Sequence, residues 1–256
     1  MAYNDMSDYG KLIFHNRAST DFGIMINYPL PDVHAVPDIT ANHVPGRSGD
    51  VLIDNNDSYQ NINLVVSVTV ERPQGYDTWF ELETAISQWL KGSDYSYLKF
   101  DNYPGYVWEA VVMTPPNLKP NVQDDLQEIG TLTFNCKPNF KRIDGIKYQP
   151  LPKTGVVRNT ENMSAWPDWH LVGSGDFILT VNGFPYELNN ISSEIWIDGA
   201  NALAYQDSTT LLNGNIGWAN NDAPELIVGK NTINLAPQSG ATLEKIEYKP
   251  NWRRLI

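Results

Sequence analysis

Residues 43–50 read HVPGRSGD. Two glycines, an arginine and a serine in such a row can cradle a phosphate, present a nucleophile, imitate an adhesion peptide or turn the chain. A nucleophile elbow needs G-x-S-x-G, and here Asp50 stands where the second glycine would fall. A phosphate loop needs the lysine of G-x-x-x-x-G-K-S/T, which is missing. Ser48 interrupts the adhesion tripeptide. What remains is a bend. Pro45 sets its own φ, Gly46 and Gly49 permit positive φ, and Arg47 between them offers five donors in a fixed fork.

Other reactive residue types are just as sparse. The histidines are His15, His34, His43 and His170, and no pair has H-x-H or H-E-x-x-H spacing, so no metal site is expected. The single cysteine, Cys136, excludes an intrachain disulfide and a cysteine-based zinc site. It falls with Leu132 and Phe134 on one face of an alternating run, the place of a small buried apolar residue rather than a nucleophile. Paired carboxylates are harder to exclude, because a glycosidase pair can be distant in sequence. Glu194, Asp198, Asp207, Asp222 and Glu225 share a β-rich region with Trp196 and Trp218. That set reads either as a sugar or partner contact at Trp196 and Trp218, or as turn carboxylates around core tryptophans. With no identifiable acid/base pair, no catalytic residue and no cofactor are assigned, and no enzyme is expected.

The elements that hold these residues read mostly as β. The run INLVVSVTV alternates from Asn63 to Val70, as a half-buried strand does. Segments 97–101, 106–113 and 129–137 read as further strands. Asn55, Asn56 and Asp57 read as a turn, prolines 29, 31 and 37 mark an edge or extended loop, and 115–128 reads as a polar, proline-rich loop. One helix is expected across DTWFELETAISQWL. Trp79, Leu82, Ile86, Trp89 and Leu90 form a single stripe, with Asp77 as N-cap and Gly92 as the stop. Prolines 138, 150 and 152 then interrupt the pattern, which places a domain boundary there, between 1–142 and 143–256. The second part alternates short β runs with Asn/Gly/Ser turns, the pattern of a β-sandwich.

Bulk properties narrow the partners. The 256 residues carry a formal charge of −12 and 41% hydrophobic residues, enough apolar content for a folded core. The only tight basic cluster is Arg253 and Arg254, so sequence-specific nucleic-acid binding is not expected. No window approaches 18 apolar residues, and the start, MAYNDMSDYGKL, lacks the pattern of a secretory signal. Synthesis in a cytoplasm without membrane insertion is the expectation.

Several segments together carry a resemblance. DFGIMI (21–26), VPGRSGDVL (44–52), QWL (88–90), YLKFDNYPGYVWEAVV (97–112) and FNCKP (134–138) are followed in order by NTENMSAWPDWHLVGSGDFILTVNG, EIWIDGANALAY, LNGN, PELIVGKNTI and IEYKPNWR. The ordered set resembles the distal tail proteins of long-tailed, non-contractile bacteriophages, in the short form without an inserted carbohydrate-binding module. The resemblance implies a mainly β chain with an N-terminal, ring-forming domain holding one helix and a C-terminal galectin-like β-sandwich. It implies a homohexameric ring at the virion's tail tip, made in the host bacterial cytoplasm, with a channel for DNA. Its implied partners are the tail tube protein, a tail-associated lysin or tip protein, and receptor-binding or baseplate proteins. Within it, Val44, Pro45, Gly46, Arg47 and Gly49 become a ring contact or a structural bend held by an internal salt bridge. A lectin-like module for host wall polysaccharide is the alternative function.

Overall fold

The computed structural model describes residues 10–121, 124–219 and 222–256. The opening stretch read for a secretory signal lies mostly outside them. The chain is mainly β with one α-helix, and it divides into two compact units. The first holds residues 1–140 and the final two residues; the second holds Lys141–Arg254.

In the first unit, one sheet orders its strands as Arg17–Ala18, Leu12–Phe14, Ser96–Phe100, Tyr106–Val111, Asp124–Arg142, Ile62–Glu71 and Ile24–Ile26. Alternation sets its buried face. Ile62, Leu64, Val66, Val68 and Val70 are buried, and their even spacing puts them on one side of the pleat. Ile62 lies opposite Cys136, Leu64 opposite Phe134 and Val66 opposite Leu132, so two apolar rows meet in register.

The helix Trp79–Leu90 covers that face with Leu82, Ile86, Trp89 and Leu90. Each such side chain contributes roughly 1.5–3 kcal/mol by leaving water. Trp89 also stacks on Phe22 at 4.7 Å, and its Nε1 donates to the Phe14 carbonyl at 2.8 Å. The N-cap is Thr78 rather than Asp77. Thr78 and Glu81 form a reciprocal capping box, which the T-x-x-E spacing encodes.

Two further expectations are corrected. Asn117–Asn121 is a strand paired with Asp124–Arg142, where a loop was expected. Asn55–Asp57 lies inside the strand Val51–Tyr59 rather than in a turn, at an irregularity where the register jumps between Pro37 and Ile39.

One carboxyl sits badly in this unit. Glu128 is 4% exposed, and its Oε2 has no hydrogen-bond partner among the described residues. Burial, and then the Glu83 carboxylate beside it, push its pKa up to about 7. The folded state therefore holds the proton more tightly than the unfolded chain does. Stability is expected to be full below the ordinary carboxylate range and to fall as pH rises through about 7. Urea unfolding at pH 5 and pH 8 checks this. Glu128→Gln, which cannot ionise, should flatten the difference and be the more stable protein at pH 8.

The second unit is built around one long strand, Asp168–Val181. Its first half pairs with Glu194–Asp198 and Thr242–Lys249; its second half pairs with Phe184–Ile191 and Gly229–Pro237. The strand changes sheets where its register shifts, at Val172–Gly173 and again at Gly175. Gly175 has φ +101°, and a Cβ there would meet Ala241 Cα at 2.7 Å, so both backbone and neighbours require glycine. Trp169 and Leu171 from the first half join Phe177, Leu179 and Val181 from the second in a single buried cluster.

Candidate functional site

The HVPGRSGD stretch closes a two-stranded arm. Pro37–Asn42 pairs with Val51–Tyr59, with Asn42 opposite Val51 and Thr40 opposite Ile53, and the two form a sheet of their own. Every residue from 41 to 50 is exposed. In the loop Gly46 and Gly49 adopt φ of +81° and +82°, and the Arg47 N–H donates to the Val44 carbonyl at 3.2 Å. The His43 ring lies 3.5 Å from Asp50. The arm also carries Ile39, Val44, Leu52 and Ile53 in solvent, with Leu52 66% exposed.

Arg47 has no ion-pair partner among the described residues. Sequence reasoning found the bend but missed the apolar residues beside it. The available signal was that VLIDNNDSY holds apolar residues only at its start and never alternates, so it has no face to bury.

The other candidate set is scattered. Trp196 stacks on His170 with ring centroids 3.5 Å apart and planes 8° apart, so one face of its indole is occupied. Its Nε1 donates to Glu194 Oε2 at 3.2 Å, the same oxygen that lies 2.9 Å from His170 Nε2, and Tyr148 meets the ring edge-on at 5.3 Å. Glu247 lies 3.8 Å from the other nitrogen of His170.

Trp218 is half-buried against the core of the second unit. Three of the acidic residues serve their own turns. Asp198 accepts from the N–H and side chain of Asn201, Asp207 from Thr209 and Thr210, and Asp222 from the Ala223 N–H. Hydrogen bonds from Thr209 and Thr210 hold the Asp207 carboxyl below its usual pKa. Burial pushes the Cys136 thiol up to about 12, far from the thiolate range a nucleophile needs.

Among the described residues no cluster of three or more His, Cys, Asp or Glu could hold a metal, and no helix is long and apolar enough to cross a membrane. His15 Nδ1 lies 2.8 Å from the Trp89 carbonyl, and His34 lies 3.3 Å from Asp32. The arm is therefore a feature whose exposed apolar residues the packing of the described residues does not explain.

No protein-family model and no curated protein matches the chain. Solved structures do. The crystal structure of SPP1 Dit, described as a paradigm of the hub adsorption apparatus in phages infecting Gram-positive bacteria, aligns with a TM-score of 0.62 at 15% identity. That alignment covers 94% of this chain and 98% of the other. A chain of the phage P2 baseplate in its activated conformation with calcium aligns with a TM-score of 0.55 at 7% identity, covering 97% and 98%. The strontium form aligns at 0.53 and 7%, with the same coverage. These alignments run through both units, from the helix-covered sheet to the sandwich around the bent strand. The fold of this chain is that of a phage distal tail protein.

Proposed function

We propose that this chain is the ring-forming hub at the distal end of a phage tail, a structural part of the virion and not an enzyme. The arm is the observation that carries this reading. A lone two-stranded hairpin is marginal in water, and this one leaves Ile39, Val44, Leu52 and Ile53 exposed. It becomes stable when a neighbouring copy covers it. Arg47, without an ion-pair partner among the described residues, then meets a carboxylate of the next subunit, for which its planar fork is suited.

In this reading the contact runs from the arm, through Val44, Pro45, Gly46, Arg47 and Gly49, to a different patch on the next copy. Such head-to-tail contacts close into rings, here of six. The tail tube protein joins the ring on one side and a tail-associated lysin or tip protein on the other. The second unit, a galectin-like sandwich, anchors receptor-binding or baseplate proteins. DNA passes through the centre, and a formal charge of −12 suits a ring that must not hold phosphates.

Light scattering and negative stain test the ring directly. Six-subunit particles are expected, and a chain that stays monomeric at high concentration and with its tail partners overturns the reading. Arg47→Ala should abolish the particles while leaving circular dichroism and the unfolding midpoint of the monomer unchanged. Loss of the monomer fold would mean that the arginine holds its own chain instead.

A further inference from the structure

The second unit carries two cations placed face to face. Arg158, on the strand Val156–Asn159, lies directly opposite Lys230 on the strand Gly229–Pro237. Both are exposed, and neither has an ion-pair partner among the described residues. Like charges directly opposite across an antiparallel pair are destabilising. A cation on Arg158 alone would have an ordinary purpose. Its short strand pairs on one side only among the described residues, and charge on an edge discourages pairing with other chains. Lys230 lies before Ile233, where the pairing of its strand with Asp168–Val181 begins, so its only ladder partner is Arg158, and a second cation directly opposite adds a repulsion that edge protection by Arg158 does not need.

Exposed apolar residues lie close to the pair in sequence, together with the polar Thr232, which faces Val156 across the two strands. Val156 shares the outer face with Arg158 two positions on, and Ile227 and Val228 precede Lys230 in the loop, Val228 being 51% exposed. That loop is held firmly. The buried Asn231 side chain donates to the carbonyls of Ile227 and Gly229 and accepts from Asn182, whose amide also reaches the Glu225 carbonyl. Buried amides thus hold the loop that carries two exposed apolar residues, Ile227 and Val228, close in sequence to one of the two cations, in a chain that is otherwise strongly acidic.

We propose that this face, made by Val156, Arg158, Lys230, Ile227 and Val228, is a docking site for an acidic segment of another protein that also presents apolar side chains. Bound carboxylates relieve the repulsion between Arg158 and Lys230 with charge-assisted hydrogen bonds, and the aliphatic residues supply the desolvated centre of the contact. An anionic wall polymer fits less well. It would use the two cations and leave Val156, Ile227 and Val228 in water. The inference rests on the second unit alone and stands whether or not the chain forms a ring.

The test uses the full chain and three probes: a peptide alternating glutamate with leucine and phenylalanine, the same peptide with glutamine for glutamate, and inorganic polyphosphate. Calorimetric titration should detect the acidic peptide and not its glutamine counterpart. Arg158→Gln with Lys230→Gln, and separately Ile227→Ser with Val228→Ser, should each weaken binding by about ten-fold or more. The charge variant should unfold at the same temperature as the parent or higher, because a repulsion has been removed. No detectable binding of the acidic peptide overturns the proposal. So does polyphosphate binding that depends on the two cations and is indifferent to Ile227 and Val228.

Discussion

Glu161→Ala is expected to cost the second unit about 3–5 kcal/mol, as much as truncating one of its core aromatics. The Glu161 side chain is 1% exposed and bridges two arginines. Its Oε1 accepts from Arg142 Nη1 at 2.9 Å and its Oε2 from Arg254 Nε at 2.7 Å, while its own N–H donates to Asn159 Oδ1 at 3.0 Å. Arg142 donates further to Thr160 Oγ1 at 2.7 Å and Asp144 at 2.6 Å, with its guanidinium over the Trp252 ring. Arg142 is the second residue of this unit and Arg254 its last, so one carboxylate joins its two ends. Removing that carboxylate takes a buried partner from both arginines at once and leaves Arg142 with the largely exposed Asp144, which costs more than the pair gains by existing. Chemical denaturation measures the loss. Arg254→Ala should cost much less, because the Arg254 side chain is 46% exposed and water replaces its bond. Equal losses for the two variants would refute the argument.

Gly23→Ala should be nearly as damaging in the first unit. Gly23 closes the short 3-10 turn Ser19–Phe22 with φ +67°, and its N–H donates to the Thr20 carbonyl at 3.0 Å. Its own carbonyl accepts from the Glu71 N–H at 3.0 Å, which binds the turn to the strand Ile62–Glu71. A Cβ at Gly23 would stand 1.8 Å from the Glu71 carbonyl oxygen, so the strand would have to move. The left-handed backbone alone costs roughly 1–2 kcal/mol for an alanine, and the overlap adds to it. Thermal unfolding should show a large fall. Gly46→Ala, in the arm, is the control. Its φ is similarly positive, but a Cβ there meets nothing within 4 Å, so only the backbone cost should appear.

What could be read in the sequence was what depends on near neighbours. The alternation from Asn63 to Val70 and the inward row Leu132, Phe134, Cys136 are periodic, and the fold buries the apolar members of both; of the helix stripe it buries Leu82, Ile86, Trp89 and Leu90 and half-buries Trp79. Propensity misled where tertiary pairing overrode it. Asn55–Asp57 favours a turn in isolation, yet it lies within a strand whose irregular register absorbs the extra residues. Pro120 argued for a loop, yet the strand Asn117–Asn121 tolerates it in its pairing with Asp124–Arg142. The triad of Arg142, Glu161 and Arg254 left no trace at all, because no spacing rule links positions so far apart. The opposition of Arg158 and Lys230 was hidden for the same reason: it is a fact of register. The bend at 43–50 was legible from its glycines, whereas the solvent exposure of Leu52 and Ile53 beside it was not.

The strand Asp168–Val181 has a mechanical consequence. Because the same backbone ladders both sheets of the second unit, neither sheet can be peeled away while the other stays whole. A pull transmitted through any partner that grips either layer arrives in both. Such a unit has no soft half to yield first: it resists as one body, and when it fails it fails in a single step.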